Sequence, residues 1–284
     1  MKLLHNVPAV TKAIILAAMM SACQNEKDGV VAPANSLEQP TDANAKTITK
    51  LLIKDGGTKL TYSGIRNLLT KELNDAEWLR EYSYVDNKIV CALSKGSAKI
   101  NNYATYTLNA KGLCEQSAIT QYSSQTVIYK YNEMNRLSLA YNKATPNLRQ
   151  EYKYELDADG QGESLRSITF YDKYDVKLKV IEFKYMDGTN GSWSTNDLYP
   201  VNPDHLAEAT SKYLPMFGKF SRYLVKQKLE KVYYVPNGVP AETEFNYSYN
   251  SDAGAAGVKT IKTTDYFGKL LSTVERQYLM PMVQ

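Results

Sequence analysis

The sequence predicts an all-β protein, an antiparallel β-meander of repeated hairpins that forms a curved open sheet with one short helical insertion near residues 202–213. Three observations lead there. A pair of aromatic or apolar residues, two apart, recurs along the chain at almost constant spacing. A polar turn follows each pair. Between turns, apolar and polar residues alternate. The second member of each pair falls at Tyr62, Tyr84, Leu108, Tyr131 and Tyr154, with spacings of 22, 24, 23 and 23 residues. A fixed period of twenty to fifty residues marks a repeat architecture.

Each repeat ends in residue types that accept left-handed backbone or bond their own main chain. Ser63-Gly64 and Asp86-Asn87 are the short turns; Asn109 to Gly112, Asn132 to Asn135 and Asp157 to Gly160 are the longer ones. Each unit therefore reads as a β-hairpin. Downstream the period loosens, with Phe183/Tyr185 and Phe245/Tyr247/Tyr249 repeating the aromatic pairing and Asp265 to Leu270 supplying another turn. Successive strand residues face opposite sides. In residues 125–131, Val127, Tyr129 and Tyr131 therefore share one face, Ile128 and Lys130 the other. Tyr152, Tyr154 and Leu156 alternate with Lys153 and Glu155, and Ile181, Phe183 and Tyr185 with Glu182 and Lys184. One apolar face and one wet face is the pattern of an antiparallel sheet. The 23 Tyr against 6 Phe fit half-buried strands, where a ring packs and its hydroxyl finds a partner.

The repeat is interrupted between Tyr185 and Leu229. A Gly/Ser/Thr/Asn loop carrying Trp193 leads to Asn202-Pro203, an N-cap followed by a proline at the first helical position. Helical spacing continues through Leu206, Ala209 and Tyr213 until Pro215. This helix is expected to plug one end of the sheet.

At the N-terminus, Lys2 and Lys12 flank a segment without acids, residues 13–20 are apolar, and Met20-Ser21-Ala22 precedes Cys23. Residues 1–22 read as a signal peptide too short to span a bilayer. The small residues before Cys23 resemble the lipobox of bacterial lipoproteins, which implies lipidation of Cys23. Residues 23–46 have no hydrophobic period and read as a flexible tether with a mean span of roughly 25 to 30 Å; residues 47–284 form a single β-meander domain. The run Gln24-Asn25-Glu26-Lys27-Asp28 resembles acidic-containing signals that send Bacteroidota-type lipoproteins to the cell surface. The expected location is the outer membrane, at the surface or the periplasmic face. Losing residues 1–22 lowers the formal net charge from +4 to +2, a balance that leaves no overall electrostatic footprint for nucleic acid or acidic lipid.

The segment Tyr129 to Leu137 (YKYNEMNRL) resembles the tyrosine-aspartate repeat of Rhs-type proteins, with Asn132 where Asp is usual and Asn135 where Gly is usual. The body as a whole, including the late segment Leu214 to Lys219 (LPMFGK), is similar to a bacterial lipoprotein family of unknown function. That resemblance implies an all-β meander, and it carries over no catalytic residue.

Catalytic motifs are sparse. His205 is the one imidazole outside the signal, at a helix start where a surface role is commoner than a catalytic one. Asp157, Asp159, Gly160 and Glu163 resemble part of a calcium loop but lack a ligand that an EF-hand requires, and no metal or cofactor is expected. Cys91 and Cys114 stand one repeat apart, so a meander places them two strands apart, about 9.5 Å, beyond the roughly 7 Å of bridged Cα atoms; free thiols are favoured over a disulfide. Three functions remain open. The first is a monomeric, non-catalytic binding or structural module for a glycan or protein, with Trp193 stacking on the ligand. The second is a half-barrel carrier of an apolar ligand, and the third a carboxylate-dependent glycan hydrolase.

Overall fold

The computed structural model describes residues 51–63, 67–120, 125–157, 160, 162–186, 211–221, 223–233, 239–250 and 258–279. The strands are β1 (Leu51–Asp55), β2 (Thr58–Ser63), β3 (Leu68–Leu73), β4 (Leu79–Val85), β5 (Lys88–Lys95), β6 (Ala98–Leu108), β7 (Cys114–Ile119) and β8 (Gln125–Tyr131). They continue as β9 (Leu137–Asn142), β10 (Arg149–Leu156), β11 (Glu163–Tyr171), β12 (Lys177–Tyr185), β13 (Val225–Val232), β14 (Ala241–Asn250), β15 (Thr260–Thr264) and β16 (Leu270–Leu279). Every sequential pair is antiparallel, and β16 pairs in turn with β1, through Leu51 opposite Leu279 and Asp55 opposite Arg276. The expected open sheet is thus overturned: the meander is a closed sixteen-stranded barrel. Closure removes the two edges that an open sheet would leave with unpaired N–H and C=O groups.

The repeat has a structural cause. At each of several hairpins the second residue of the pair sits at a β-bulge, with one extra residue on the returning strand. Tyr62 pairs with Leu69, Leu108 with Cys114, Tyr131 with Leu137 and Tyr154 with Leu165, each at a register shift. The same shift recurs where Tyr185 meets Val225. A bulge bends its strand and increases the local twist, so the bulges recurring in most repeats help curl the meander until its ends meet. The tyrosine of the next unit then donates its hydroxyl to the backbone beside the preceding bulge. Tyr84 reaches Leu69 O at 2.8 Å, Tyr131 reaches Cys114 O at 2.7 Å, Tyr154 reaches Leu137 O at 3.0 Å and Tyr185 reaches Leu165 O at 2.6 Å. The bias toward Tyr over Phe follows, since a phenyl ring has no donor for these carbonyls.

The turns use one device repeatedly. The side-chain oxygen of Asn132 accepts from the N–H groups of Met134 and Arg136, and that of Asp172 from Tyr174 and Val176. Three residues after the Asn or Asp the chain is left-handed, at Gly112, Asn135, Gly160, Asp175 and Gly268, where Gly, Asn and Asp are the tolerated types.

Side chains of the apolar face, among them Leu52, Leu60, Leu69, Tyr106, Tyr129, Leu137, Ile168, Ile181 and Phe183, point into the barrel and form its core. Leu156, expected on that face, is exposed at a hairpin end. The expected helix near 202–213 is not found in the part described. Residues 211–213 are irregular, Pro215–Phe217 is a single 3-10 turn, and the described residues contain no α-helix; residues 202–210 lie outside the description. The plugging role belongs instead to the segment 211–224, whose described residues hold only that 3-10 turn.

Candidate functional site

Because turns alternate between the two ends, β1 begins and β16 finishes at one end, the near end, and the β1–β2 turn lies at the other, the far end. The segment 211–224 lies against turns of the near end and packs into the interior. Phe217 meets Tyr129 with ring centroids 5.0 Å apart, and Phe220 meets Tyr152 at 6.2 Å. Its backbone is held by the wall: Met216 O accepts from Tyr131 Oη at 3.3 Å, Lys219 O from Arg136 Nη1 at 3.0 Å, and Phe220 O from Leu165 N at 2.7 Å. Gly218 has φ +76°, and a Cβ there would stand 2.6 Å from Asn135 O. The near half of the barrel is therefore filled, by a plug with a fixed seat.

Charge enters the interior at two clusters. Asp55, whose side chain is 2% exposed, accepts from Arg276 Nε at 2.9 Å and from Tyr213 Oη at 2.9 Å, with Lys212 Nζ at 3.2 Å. Burial alone would raise the Asp55 pKa, but the positive charges of Arg276 and Lys212 and the two hydrogen bonds outweigh it and hold the carboxyl below its ordinary value. This carboxylate joins the first strand, the last strand and the plug. Glu72 accepts from Arg80 Nη1 at 2.6 Å and from Tyr82 Oη at 2.9 Å. Both inner carboxylates thus serve as acceptors for cations and hydroxyls.

The inner face of β11 to β14 carries a third group, fixed by register. Lys179 lies opposite Phe170, Glu230 opposite Ile181, and Lys228 opposite both Phe183 and Phe245. Lys179 Nζ sits 4.8 Å from the Phe170 ring centre, Lys228 Nζ 4.4 Å from that of Phe245, and Lys228 pairs with Glu230 at 2.9 Å. The side chains of Lys228 and Glu230 remain 15% and 20% exposed, so water reaches this wall. Rings and paired charges together suit contact with a polar organic ligand. Periodicity showed the inward face of these strands but could not reveal this group, since Lys179, Lys228 and Glu230 occupy positions that alternation assigns to apolar residues.

The sequence candidates fare differently. Cys23, Trp193, His205 and Asp159 lie outside the described residues. Cys91 and Cys114 are free, buried thiols. Cys91 lies opposite Ala104 of β6, whereas Cys114 lies opposite Leu108, four residues further along the same strand, so they are displaced along the strands as well as across them. Burial pushes both thiols up, Cys91 to about 12, which keeps them protonated and unreactive. Asp157 Oδ1 accepts from Ser164 Oγ at 2.6 Å, and among the described residues no three side chains of His, Cys, Asp or Glu gather as a metal site.

The outer wall is polar. Lys59, Lys71, Lys130, Lys153, Glu155, Lys184, Glu242, Lys262 and Glu275 all point outward and are exposed, and ion pairs join Lys71 to Glu81 at 3.2 Å and Lys231 to Glu182 at 3.1 Å. A lipid-facing Lys or Arg near the bilayer midplane costs about 2 to 4 kcal/mol, and membrane barrels carry a tall apolar band instead. This barrel has the reverse polarity, apolar inside and charged outside.

No family model and no curated protein matches the chain. Among solved structures, the chain is similar to a porin-like protein from Bacteroides vulgatus ATCC 8482, with a TM-score of 0.53, 15% identity, and coverage of 82% of this chain and 100% of that one. A porin-like protein from Bacteroides uniformis ATCC 8492 also matches, with a TM-score of 0.42, 13% identity, and coverage of 81% and 97%. The first likeness shows the fold, a large antiparallel β-barrel.

Proposed function

We propose that this chain is a lipid-anchored, non-catalytic module of the bacterial envelope, a barrel that works in water beside the membrane rather than as a pore through it. The observation that carries this reading is the polarity of the wall, charged outside and apolar inside, with segment 211–224 packed into the lumen. The lipobox-like Cys23 supplies the anchor, and the outer membrane is its place. The role is binding or scaffolding, with a glycan or protein as ligand and the chain acting as a monomer. The half-buried group of Lys179, Lys228, Glu230, Phe170 and Phe245 supports a binding role. The bulge-and-tyrosine ladder supports kinship with the tyrosine-aspartate repeat lipoproteins.

Fractionation tests the anchor and the wall together. In cells expressing Cys23→Ser, the protein is expected to leave the outer-membrane fraction and to be extracted by alkaline carbonate, and the purified wild-type protein should give no conductance in planar bilayers. A Cys23→Ser protein that stays integral, or steady channel currents, would mean that the wall faces lipid and would end this reading.

A further inference from the structure

We propose that the far rim of the barrel docks on the surface of an anionic lipid bilayer, through the tips of its last hairpins. The exposed aromatic side chains of the described residues all lie at this end: Trp78, Tyr174, Tyr233, Tyr266 and Phe267. The turns after β11, β13 and β15 stand side by side in the barrel order and present Tyr174, Val239, Tyr266 and Phe267, with Leu270 and Leu271 just behind the last of them. Phe267 is 88% exposed, Val239 83% and Tyr266 70%. These residues sit on neighbouring hairpins and are highly exposed, so one extended surface would meet them together.

The polar residues around them favour lipid. Lys173 lies over the Tyr174 ring at 4.9 Å and Lys177 over Tyr233 at 5.4 Å, the mixture of amphipathic rings and lysines found where proteins enter the headgroup layer. Lys143, Lys173, Lys177 and Lys269 have no carboxylate partner among the described residues. Among the acids of these turns, Asp172 and Asp265 accept backbone N–H groups and keep their charge, and Asp175 pairs with Arg149. Across the turns 143–149, 172–177, 233–240 and 265–269, Lys143, Arg149, Lys173, Lys177 and Lys269 against Asp172, Asp175 and Asp265 leave a formal charge of +2 for anionic headgroups. The charged outer wall limits insertion to the depth of the tips.

The test uses the full chain with Cys23→Ser, so that no acyl chain contributes, and vesicles of phosphatidylcholine with or without phosphatidylglycerol. Phe267→Trp places a reporter at the tip. Its emission, after subtraction of the parent's, is expected to shift to the blue and to be quenched by brominated lipid on vesicles containing phosphatidylglycerol. Joint replacement Tyr266→Ser and Phe267→Ser is expected to weaken partitioning at least about tenfold, and both residues are exposed enough for the fold to survive. Emission that does not change on vesicles overturns the proposal, whether or not other parts of the chain bind them. So does partitioning that is equal with and without the two serines, or a rim that captures a protein but no vesicle.

Discussion

Asp55 shows how much can rest on one side chain. It receives Arg276 from 221 residues away and Tyr213 from 158 residues away, so the barrel seam and the plug share a single acceptor. Asp55→Asn would remove the carboxylate charge paired with Arg276, which is itself 6% exposed, and breaking a buried pair in this way costs about 3 to 5 kcal/mol. The expected result is a lower urea midpoint at neutral pH; an unchanged midpoint would show that the pair contributes nothing net. The pH dependence has a definite sign. Because the folded-state pKa is depressed, the contribution is fully present above the unfolded carboxyl value of about 3.9 and is lost as pH falls through the folded value. Wild type should therefore lose stability below about pH 4 more steeply than the Asn variant, in urea titrations across that range. Nothing in the sequence marks Asp55, since it follows a lysine at the end of a short strand and its partners are distant.

The hairpin is the unit that the sequence reveals best. Its period, its Asn or Asp turn and its final tyrosine are all local, and each has an observed job: the side-chain oxygen caps the turn, the left-handed residue closes it, and the tyrosine hydroxyl serves the neighbouring bulge. The bulge itself was hidden, since an extra residue on the returning strand, such as Ser138 opposite the step from Lys130 to Tyr131, looks like ordinary variation in spacing. The plug overlaps the expected helix near 202–213 only at residues 211–213, and its form differs. Pro215 and Gly218 shape an irregular strap whose turn must pass Asn135. Gly218→Ala tests that strap. The position combines a left-handed φ with a 2.6 Å approach to a backbone carbonyl, and alanine where φ is positive costs more than the roughly 1 kcal/mol that it gains elsewhere. A loss of about 2 kcal/mol in urea unfolding is expected, together with faster proteolysis within residues 211–224. Wild-type resistance would show that the strap is loosely seated.

At the scale of the whole molecule, closure is the property that local sequence cannot express. Alternation of apolar and polar residues is equally compatible with an open sheet and a barrel. The decision belongs to the sum of many small bends and to a pairing between residues 51–55 and 276–279, which no short window contains. What alternation does express is polarity, and here it separates two kinds of barrel. In a membrane barrel a lysine is tolerated toward the lumen and costs about 2 to 4 kcal/mol toward lipid. In a barrel standing in water the order is reversed. Ile128 and Val127 are adjacent on β8 and face opposite sides. Ile128 looks outward between Gln116 and Tyr141, while Val127 is buried in the core, opposite Ser117. Ile128→Lys should therefore change stability by less than about 1 kcal/mol, as surface substitutions do. Val127→Lys should cost several, because it buries an unpaired charge among Tyr129, Leu137 and their neighbours. Urea midpoints of the two variants, measured side by side with no lipid or detergent present, give the sign directly. A tolerated lysine at 127 with a damaging one at 128 would place lipid outside and water within.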